Sequence, residues 1–213
     1  MTSILTPSQN KYLESFRTQQ DELISEMETF AHENKIPILS WDAVEFLEQL
    51  IKIRKPKRIL EIGTAIAYSS IRIARSAGRK CLVHTIEKSA NNIKLAKEYI
   101  SRSGYEDKIE IFEGDAFEVM PQLKKKYDFI FLDADKEDYR RLFDYSLILL
   151  KTDGVIFIDN LLWHGYAAVK KAPQNYRNSA KNIREFNHFF MSQPNLHTTI
   201  LPIGDGIGLG IKK

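Results

Sequence analysis

The pattern of apolar and polar positions changes character twice along the chain. Residues 7–34 carry apolar positions at helical spacing and predict one or two amphipathic helices; a further helix is predicted over 40–53, with Ser40 at its N-cap. From residue 58 onward, short runs rich in β-branched and aromatic residues alternate with helical stretches. The runs are 58–63 (RILEIG), 82–87 (LVHTIE), 108–113 (KIEIFE), 127–133 (YDFIFLD) and 154–159 (GVIFID), and helices are predicted near 68–77, 89–103, 116–125 and 137–150. Continuous apolar strands joined by helical crossovers specify a parallel sheet buried on both faces. The last segment, HTTILPIGDGIGLGIKK, turns back at Asp205-Gly206 and predicts a hairpin. The expected fold is therefore α/β, with a mainly parallel sheet, an antiparallel strand at its C-terminal end and helices on both faces. Residues 1–213 are expected to form one domain, with residues 1–54 as a helical N-terminal extension.

Composition narrows this picture without redirecting it. A chain of 213 residues with 43% hydrophobic positions is long enough to bury a sizeable core. No apolar run reaches the roughly 18–20 residues that a membrane span needs, so no membrane partner is expected. The opening MTSILTPSQNKYLESF lacks a basic segment leading into an apolar one, which argues against a signal peptide. A single cysteine, Cys81, allows no internal disulfide and fits the reducing cytoplasm; it opens an apolar stretch and is expected to be a plain core residue. The net charge of +3 permits an anionic partner without demanding one.

In open parallel sheets, ligands bind beyond the C-terminal ends of the strands. Those ends read Glu61-Ile62-Gly63, Glu87, Gly114-Asp115-Ala116, Asp133 and Asp159-Asn160. The first strand-to-helix turn, in RILEIGTAIAYSS, holds one glycine, Gly63, and has Ala67 four positions on. A dinucleotide would call for three glycines near its pyrophosphate, and a triphosphate for a Gly-Lys-Ser/Thr loop; neither is present. Glu87 lies 24 positions after Gly63, where an acid is placed to accept hydrogen bonds from a ribose diol. Any one of these acids could equally cap a helix or face solvent. Five at one sheet edge point to a phosphate-free nucleoside with positive charge, and S-adenosylmethionine is such a molecule.

Two of these strand ends also carry the makings of a metal site. Asp133, Asp159 and Asn160 would offer three oxygens if their strands are neighbours, which suits Mg²⁺ or another hard divalent cation such as Mn²⁺ or Ca²⁺. Positions left open could take a substrate with two adjacent oxygens, one of which attacks a methyl group. Taken singly, an aspartate cap and a DN turn are ordinary alternatives. Lys136 follows Asp133 by three residues, and a neighbouring metal and sulfonium would lower its pKa enough to make it a general base. Its alternative is a surface ion pair with Glu137 or Asp138. The five histidines show neither HxxxH nor HExxH spacing, which disfavours zinc, and His164 reads as a loop residue.

The stretches KPKRILEIGTAIAYSSI, YDFIFLDADKEDY, GVIFIDNLLWHG and PIGDGIGLGIK together resemble the metal-dependent S-adenosylmethionine O-methyltransferases of the catechol and caffeoyl-CoA type, over nearly the whole chain. That family has a Rossmann-like class I methyltransferase fold with a seven-stranded sheet. The resemblance implies Asp133, Asp159 and Asn160 as metal ligands and Lys136, beside Asp133, as the catalytic lysine. It implies Leu39, Glu61, Gly63, Ser69, Glu87, Asp115 and Ala116 as cofactor contacts, with Asp133 also near the methionine end. Two departures stand out: Ala67 replaces the usual glycine of GTxxGYS, and Leu39 stands where methionine is common. A small shift at the helix start is expected from Ala67. A homodimer is implied as well.

Within that family, FAHENKIPILSWDAVEFL brings the chain near the bacterial branch that methylates 5-hydroxyuridine at the wobble position of the tRNA anticodon loop, giving 5-methoxyuridine. Catechol and 5-hydroxyuridine both present two neighbouring oxygens, so the metal-binding residues do not choose between them. Two surroundings bear on the choice. One is the basic run Lys52–Arg58; the other is the segment after Asn160, which mixes Trp163, Tyr166 and Tyr176 with Lys170, Lys171, Arg177, Lys181 and Arg184. Basic residues interleaved with aromatics suit phosphate contact and base stacking on an unpaired loop, and equally describe a solvated charged surface. The tRNA substrate is therefore expected chiefly from the resemblance, with a small catechol or caffeoyl-CoA substrate as its alternative.

Overall fold

In the computed structural model, residues 5–19 and 21–213 are described. Residues 1–4, at the head of the segment read as lacking a leader, and Gln20, within the first predicted helical stretch, lie outside them. Seven strands form one sheet: β1 (Arg58–Ile62), β2 (Leu82–Glu87), β3 (Ile109–Glu113), β4 (Tyr127–Leu132), β5 (Leu150–Ile158), β6 (Leu196–Leu201) and β7 (Ile207–Lys212). Their order is β3-β2-β1-β4-β5-β7-β6. The first five run parallel, and β7 pairs antiparallel with both β5 and β6. The helices are α1 (Pro7–Glu14), α2 (Glu22–Glu33), α3 (Trp41–Arg54), α4 (Tyr68–Ser76), α5 (Ala90–Ser103), α6 (Ala116–Val119), α7 (Tyr139–Leu149) and α8 (Arg177–Met191).

Side chains of the central strands alternate between two apolar layers, as a period of two requires. Ile59, Phe129, Phe131 and Phe157 pack with residues of α2 to α5, among them Met27, Leu47, Ile71 and Tyr99. Leu60, Ile130, Leu132 and Ile156 pack on the other face with Leu142 and Phe143 of α7 and Phe186 and Phe190 of α8. Cys81 is buried in the first layer, where burial pushes its thiol up to about 11, so it packs as an inert apolar residue.

Three elements differ from expectation. The segment 177–191 forms α8, whose buried stripe Ala180, Ile183, Phe186, Phe190 has helical spacing that the basic residues between those positions obscure. Helix α6 ends at Val119 and gives way to a 3₁₀ turn at Met120–Gln122, because Pro121 has no N–H to continue the α-helix. Ser40 does hold the N-cap position of α3, but its side chain makes no capping bond; Asp42 Oδ1 accepts from Ala43 N at 3.0 Å instead.

Strand register sets the position of everything that follows. Ile86, Ile62, Leu132 and Ile158 stand side by side in neighbouring strands. The next positions, Glu87, Gly63, Asp133 and Asp159, therefore form one row at the sheet edge. The backbone closes tightly there: Asp133 N donates to Ile62 O at 3.0 Å and Asp159 N to Leu132 O at 3.1 Å. Gly63 has a φ of +104°, and a Cβ on it would lie 1.8 Å from the Asp133 carbonyl oxygen. The glycine is thus required by the approach of two strand ends, independently of any phosphate. Ala67, in the left-handed region at φ +66° and fully buried, carries a backbone cost of roughly 1–2 kcal/mol that a glycine would not. Gly63→Ala should destabilise the fold by about 3 kcal/mol, the upper end for overpacking. Gly78→Ala, with nothing within 4 Å of its added Cβ, should leave stability unchanged. Denaturant unfolding of the two variants measures the contrast, and equal stabilities would contradict this account.

Candidate active site

A cavity of about 640 Å³ opens along the row of strand ends. Gly63, Glu87, Asp115, Ala116, Asp133, Lys136, Asp159 and Asn160 of the sequence-derived site all line it. Leu39, Glu61 and Ser69 lie behind its wall. Leu39 is buried in the first apolar layer, next to Ile38 and Ser40, which do reach the cavity. Glu61 points into the sheet interior on β1. Ser69 and Ser70 hydroxyls donate to its two oxygens, and Thr85 Oγ1 donates to Oε2 at 2.7 Å. Its role in the structure is to tie the first turn of α4 to β1 and β2. Burial drives the Glu61 carboxyl up to about 7 despite these hydroxyls.

Glu87 serves the same loop from the cavity side. Its Oε2 accepts from Ala65 N at 2.9 Å and its Oε1 from Ser89 N at 2.8 Å. Each oxygen keeps a second lone pair, so the carboxylate can hold the loop and still accept from two ligand hydroxyls. Asp115 caps α6 through Phe117 N at 2.8 Å.

The other end of the cavity is dominated by charge. Asp133 and Asp159 are register neighbours, and Asp159 is only 5% exposed. Burial first, and the Asp133 charge second, raise Asp159 to about 8. Lys136 Nζ donates to Asp133 Oδ1 at 3.1 Å, to Ala134 O at 2.9 Å and to the Tyr139 hydroxyl at 2.8 Å. Tyr139 in turn donates to Asp159 O at 3.0 Å. The expectation of a depressed Lys136 pKa does not hold for the free protein. Burial acts to lower it, but Tyr139, Asp133 and Asp159 outweigh burial and hold the amine as an ammonium. Among the described residues, no three carboxylate, histidine or cysteine side chains converge closely enough to hold a metal between them. The available set is the two carboxylates plus the Asn160 amide. Those groups fit a hard cation: a buried and a half-buried carboxyl group stand side by side, with an amide oxygen next to them in sequence.

Aromatic residues close the cavity above these charges. The loop after β5 carries Trp163 and His164, which line it, with ring centroids 5.1 Å apart. Tyr176 lies 6.2 Å from Trp163 and 5.7 Å from His164, and it stacks on Tyr166 at 5.1 Å. Lys136 Nζ sits 5.4 Å from the Trp163 ring. Arg184 is occupied within this loop: it donates to Ala167 O at 3.0 Å and Val169 O at 2.7 Å, so it latches the segment and is not available to phosphate. The basic run Lys52–Arg58 ends where β1 begins, at the edge of the sheet opposite the cavity. Asp205 was not singled out by its sequence, yet it lines the cavity from the β6–β7 turn. The available signal was an acid held between two glycines, Gly204 and Gly206.

A doubly wound sheet with a row of acids at its C-terminal edge and a single, sterically required glycine defines a class I fold for S-adenosylmethionine. Comparison with known proteins makes the assignment. An O-methyltransferase family model matches residues 14–213, and the chain belongs to that family. It is similar to the caffeoyl-CoA O-methyltransferases of Populus kitakamiensis (31% identity, 79% of this chain and 75% of the relative) and Populus trichocarpa (32%, 85% and 77%). Among solved structures, a Staphylococcus aureus protein assigned to the caffeoyl-CoA O-methyltransferases superposes with a TM-score of 0.90 at 33% identity, covering 97% of this chain and all of the other. A Bacillus cereus O-methyltransferase solved with S-adenosylhomocysteine superposes at 0.85 and 26% identity, covering 97% of each chain. The protein is an S-adenosylmethionine-dependent O-methyltransferase. Among the described residues, no helix is long and apolar enough to cross a membrane.

Glu61 yields a test that is independent of any ligand. Its folded pKa of about 7 lies above the ordinary 4.5, so the native state binds the extra proton and stability falls as pH rises through that window. The full loss is about 3 kcal/mol for this fully buried group. Glu61→Gln should flatten the dependence of unfolding free energy on pH between 4.5 and 7 relative to the parent. Parallel curves for the two proteins would show that Glu61 is already ionised in the fold.

Proposed function

We propose that the protein methylates one of two vicinal oxygens on a planar aromatic substrate of the catechol or caffeoyl-CoA kind. The observation that carries this reading is the meeting of Trp163 and His164 with the Asp133–Asp159 pair in one cavity. A ring stacked on the aromatics would bring its hydroxyls to the carboxylates. The names of the relatives favour the same substrate class.

In this reading Asp133, Asp159 and Asn160 would hold a divalent cation, Mg²⁺ or a similar hard ion, which would supply charge stabilisation for the attacking oxygen. Glu87 receives the ribose of S-adenosylmethionine, and Gly63, Asp115 and Ala116 shape the rest of its seat. The substrate oxygen forms a bond to the methyl carbon as the carbon–sulfur bond breaks, and S-adenosylhomocysteine leaves. The hydroxyl proton passes to Lys136 Nζ, which must first have released one of its own to solvent; the two carboxylates have to be shielded before it can.

A second reading is 5-hydroxyuridine in a tRNA anticodon loop. It is favoured by Lys170, Lys171 and Arg177, which lie beside the Tyr166–Tyr176 stack and make no ion pair among the described residues. Phosphate contacts from these three would suit an RNA strand.

The test is a panel of catechol, caffeoyl-CoA and hydroxyuridine-containing tRNA. Catechol-type substrates should turn over, chelation by EDTA should abolish the reaction and Mg²⁺ should restore it. Reversing Lys170, Lys171 and Arg177 to Glu should leave catechol turnover unchanged. Turnover confined to tRNA, with a Michaelis constant that rises steeply in the triple variant, would replace the first reading with the second. Activity that survives chelation would remove the cation from both.

A further inference from the structure

We infer that Asp205, in the turn between β6 and β7, is a positioning residue that sets the orientation of the Asn160 amide; this rests on the reading of Asn160 as a cation ligand. The turn itself does not need an aspartate. Its left-handed positions are taken by Gly204 (φ +55°) and Gly206 (φ +89°). Yet Asp205 is 8% exposed, and burying a carboxylate is costly unless specific partners hold it.

Its partners all belong to the loop after β5. Asp205 Oδ1 accepts from the His164 backbone N–H at 2.6 Å. Its Oδ2 accepts from Asn160 Nδ2 at 3.4 Å. The backbone of the turn grips the same loop: Leu162 N donates to Asp205 O and Leu161 N to Gly206 O, each at 2.9 Å. On its other side, Gly204 N donates to Asp42 Oδ2 at 2.9 Å, which anchors the turn to the start of α3.

A carboxylate can only accept, so it draws the NH₂ of Asn160 toward itself and turns the amide oxygen away. Asn160 is held in the left-handed region at φ +61°, and its backbone N donates to Asp159 Oδ1 at 2.7 Å. With backbone and NH₂ both fixed, the amide oxygen has one direction left to present. Without Asp205 the amide could rotate and offer its NH₂ to a cation, which repels it. Partners of this kind commonly change metal affinity by about 10–100-fold.

The decisive experiment titrates Mn²⁺ into the full-length protein by calorimetry, and S-adenosylhomocysteine separately. Asp205→Asn keeps the shape and the acceptor for His164 but places an NH₂ opposite that of Asn160. It should weaken Mn²⁺ binding by about tenfold or more while leaving S-adenosylhomocysteine affinity unchanged, and saturating Mn²⁺ should restore kcat. In an Asn160→Ala background, Asp205→Asn should have no further effect on Mn²⁺ affinity, because Asp205 acts through Asn160. Unchanged Mn²⁺ affinity in Asp205→Asn overturns the inference and leaves the proposed function standing. Losses that simply add in the double variant, or a parallel loss of S-adenosylhomocysteine affinity, also overturn it in favour of a purely structural role. A parent protein that binds no Mn²⁺ removes the underlying reading and this inference together.

Discussion

Two carboxylates placed side by side at a buried sheet edge are the constraint to which the rest of the site answers. The register of β4 and β5 makes Asp133 and Asp159 neighbours, the first half-buried and the second buried. Burial first, and the like charge of Asp133 second, raise Asp159 to about 8. Lys136 and Tyr139 gather around the pair, and Tyr139 together with the two carboxyl groups keeps the lysine protonated. The close approach of the strand ends also fixes Gly63, since any side chain there would collide with the Asp133 carbonyl. A cation at the pair would relieve the repulsion and release the lysine, so the electrostatics of the free protein already favour the proposed chemistry.

Much of this was legible before the fold. Strands β1 to β4 announce themselves as short apolar runs, and the open-sheet rule places their ends at one edge. Asp133, Asp159 and Asn160 could be named because strand-terminal acids in a parallel sheet converge regardless of the intervening helices. Other features depend on which partner a side chain finds, and no local pattern encodes that. Glu61 sits two residues before Gly63 yet lies behind the cavity wall, because its position within β1 turns it toward the first turn of α4, where the Ser69 and Ser70 hydroxyls hold it. Arg184 looks like a phosphate ligand, but from α8 its guanidinium is bonded to three carbonyls of the loop after β5. Helix α8 is masked in the sequence because basic and polar residues separate the members of its apolar stripe. Lys136 was expected to titrate low from ligand charges, whereas the protein's own carboxylates dominate when no ligand is considered.

The cavity also shows a division of labour among its walls. At the β1 and β2 ends, which the proposed function assigns to the nucleoside, Glu87 ties the Ala65 and Ser89 amides and keeps capacity for a diol. The β4 and β5 ends carry the charge. The loop after β5 supplies the aromatic wall and is steadied from two directions, by Arg184 of α8 and by the turn at Asp205. In the proposed reading, substrate choice would be concentrated in one loop, whereas the methyl donor would be held by the sheet edge. Relatives that share the sheet can differ in substrate by changing that loop alone.

The most direct test of the central claim is anomalous diffraction from crystals grown with Mn²⁺ and S-adenosylhomocysteine. A single strong peak within bonding distance of Asp133, Asp159 and the Asn160 amide oxygen, with Lys136 Nζ moved off Asp133, is the predicted result. A site that stays free of anomalous density at saturating Mn²⁺, with the Lys136–Asp133 bond intact, would contradict the account.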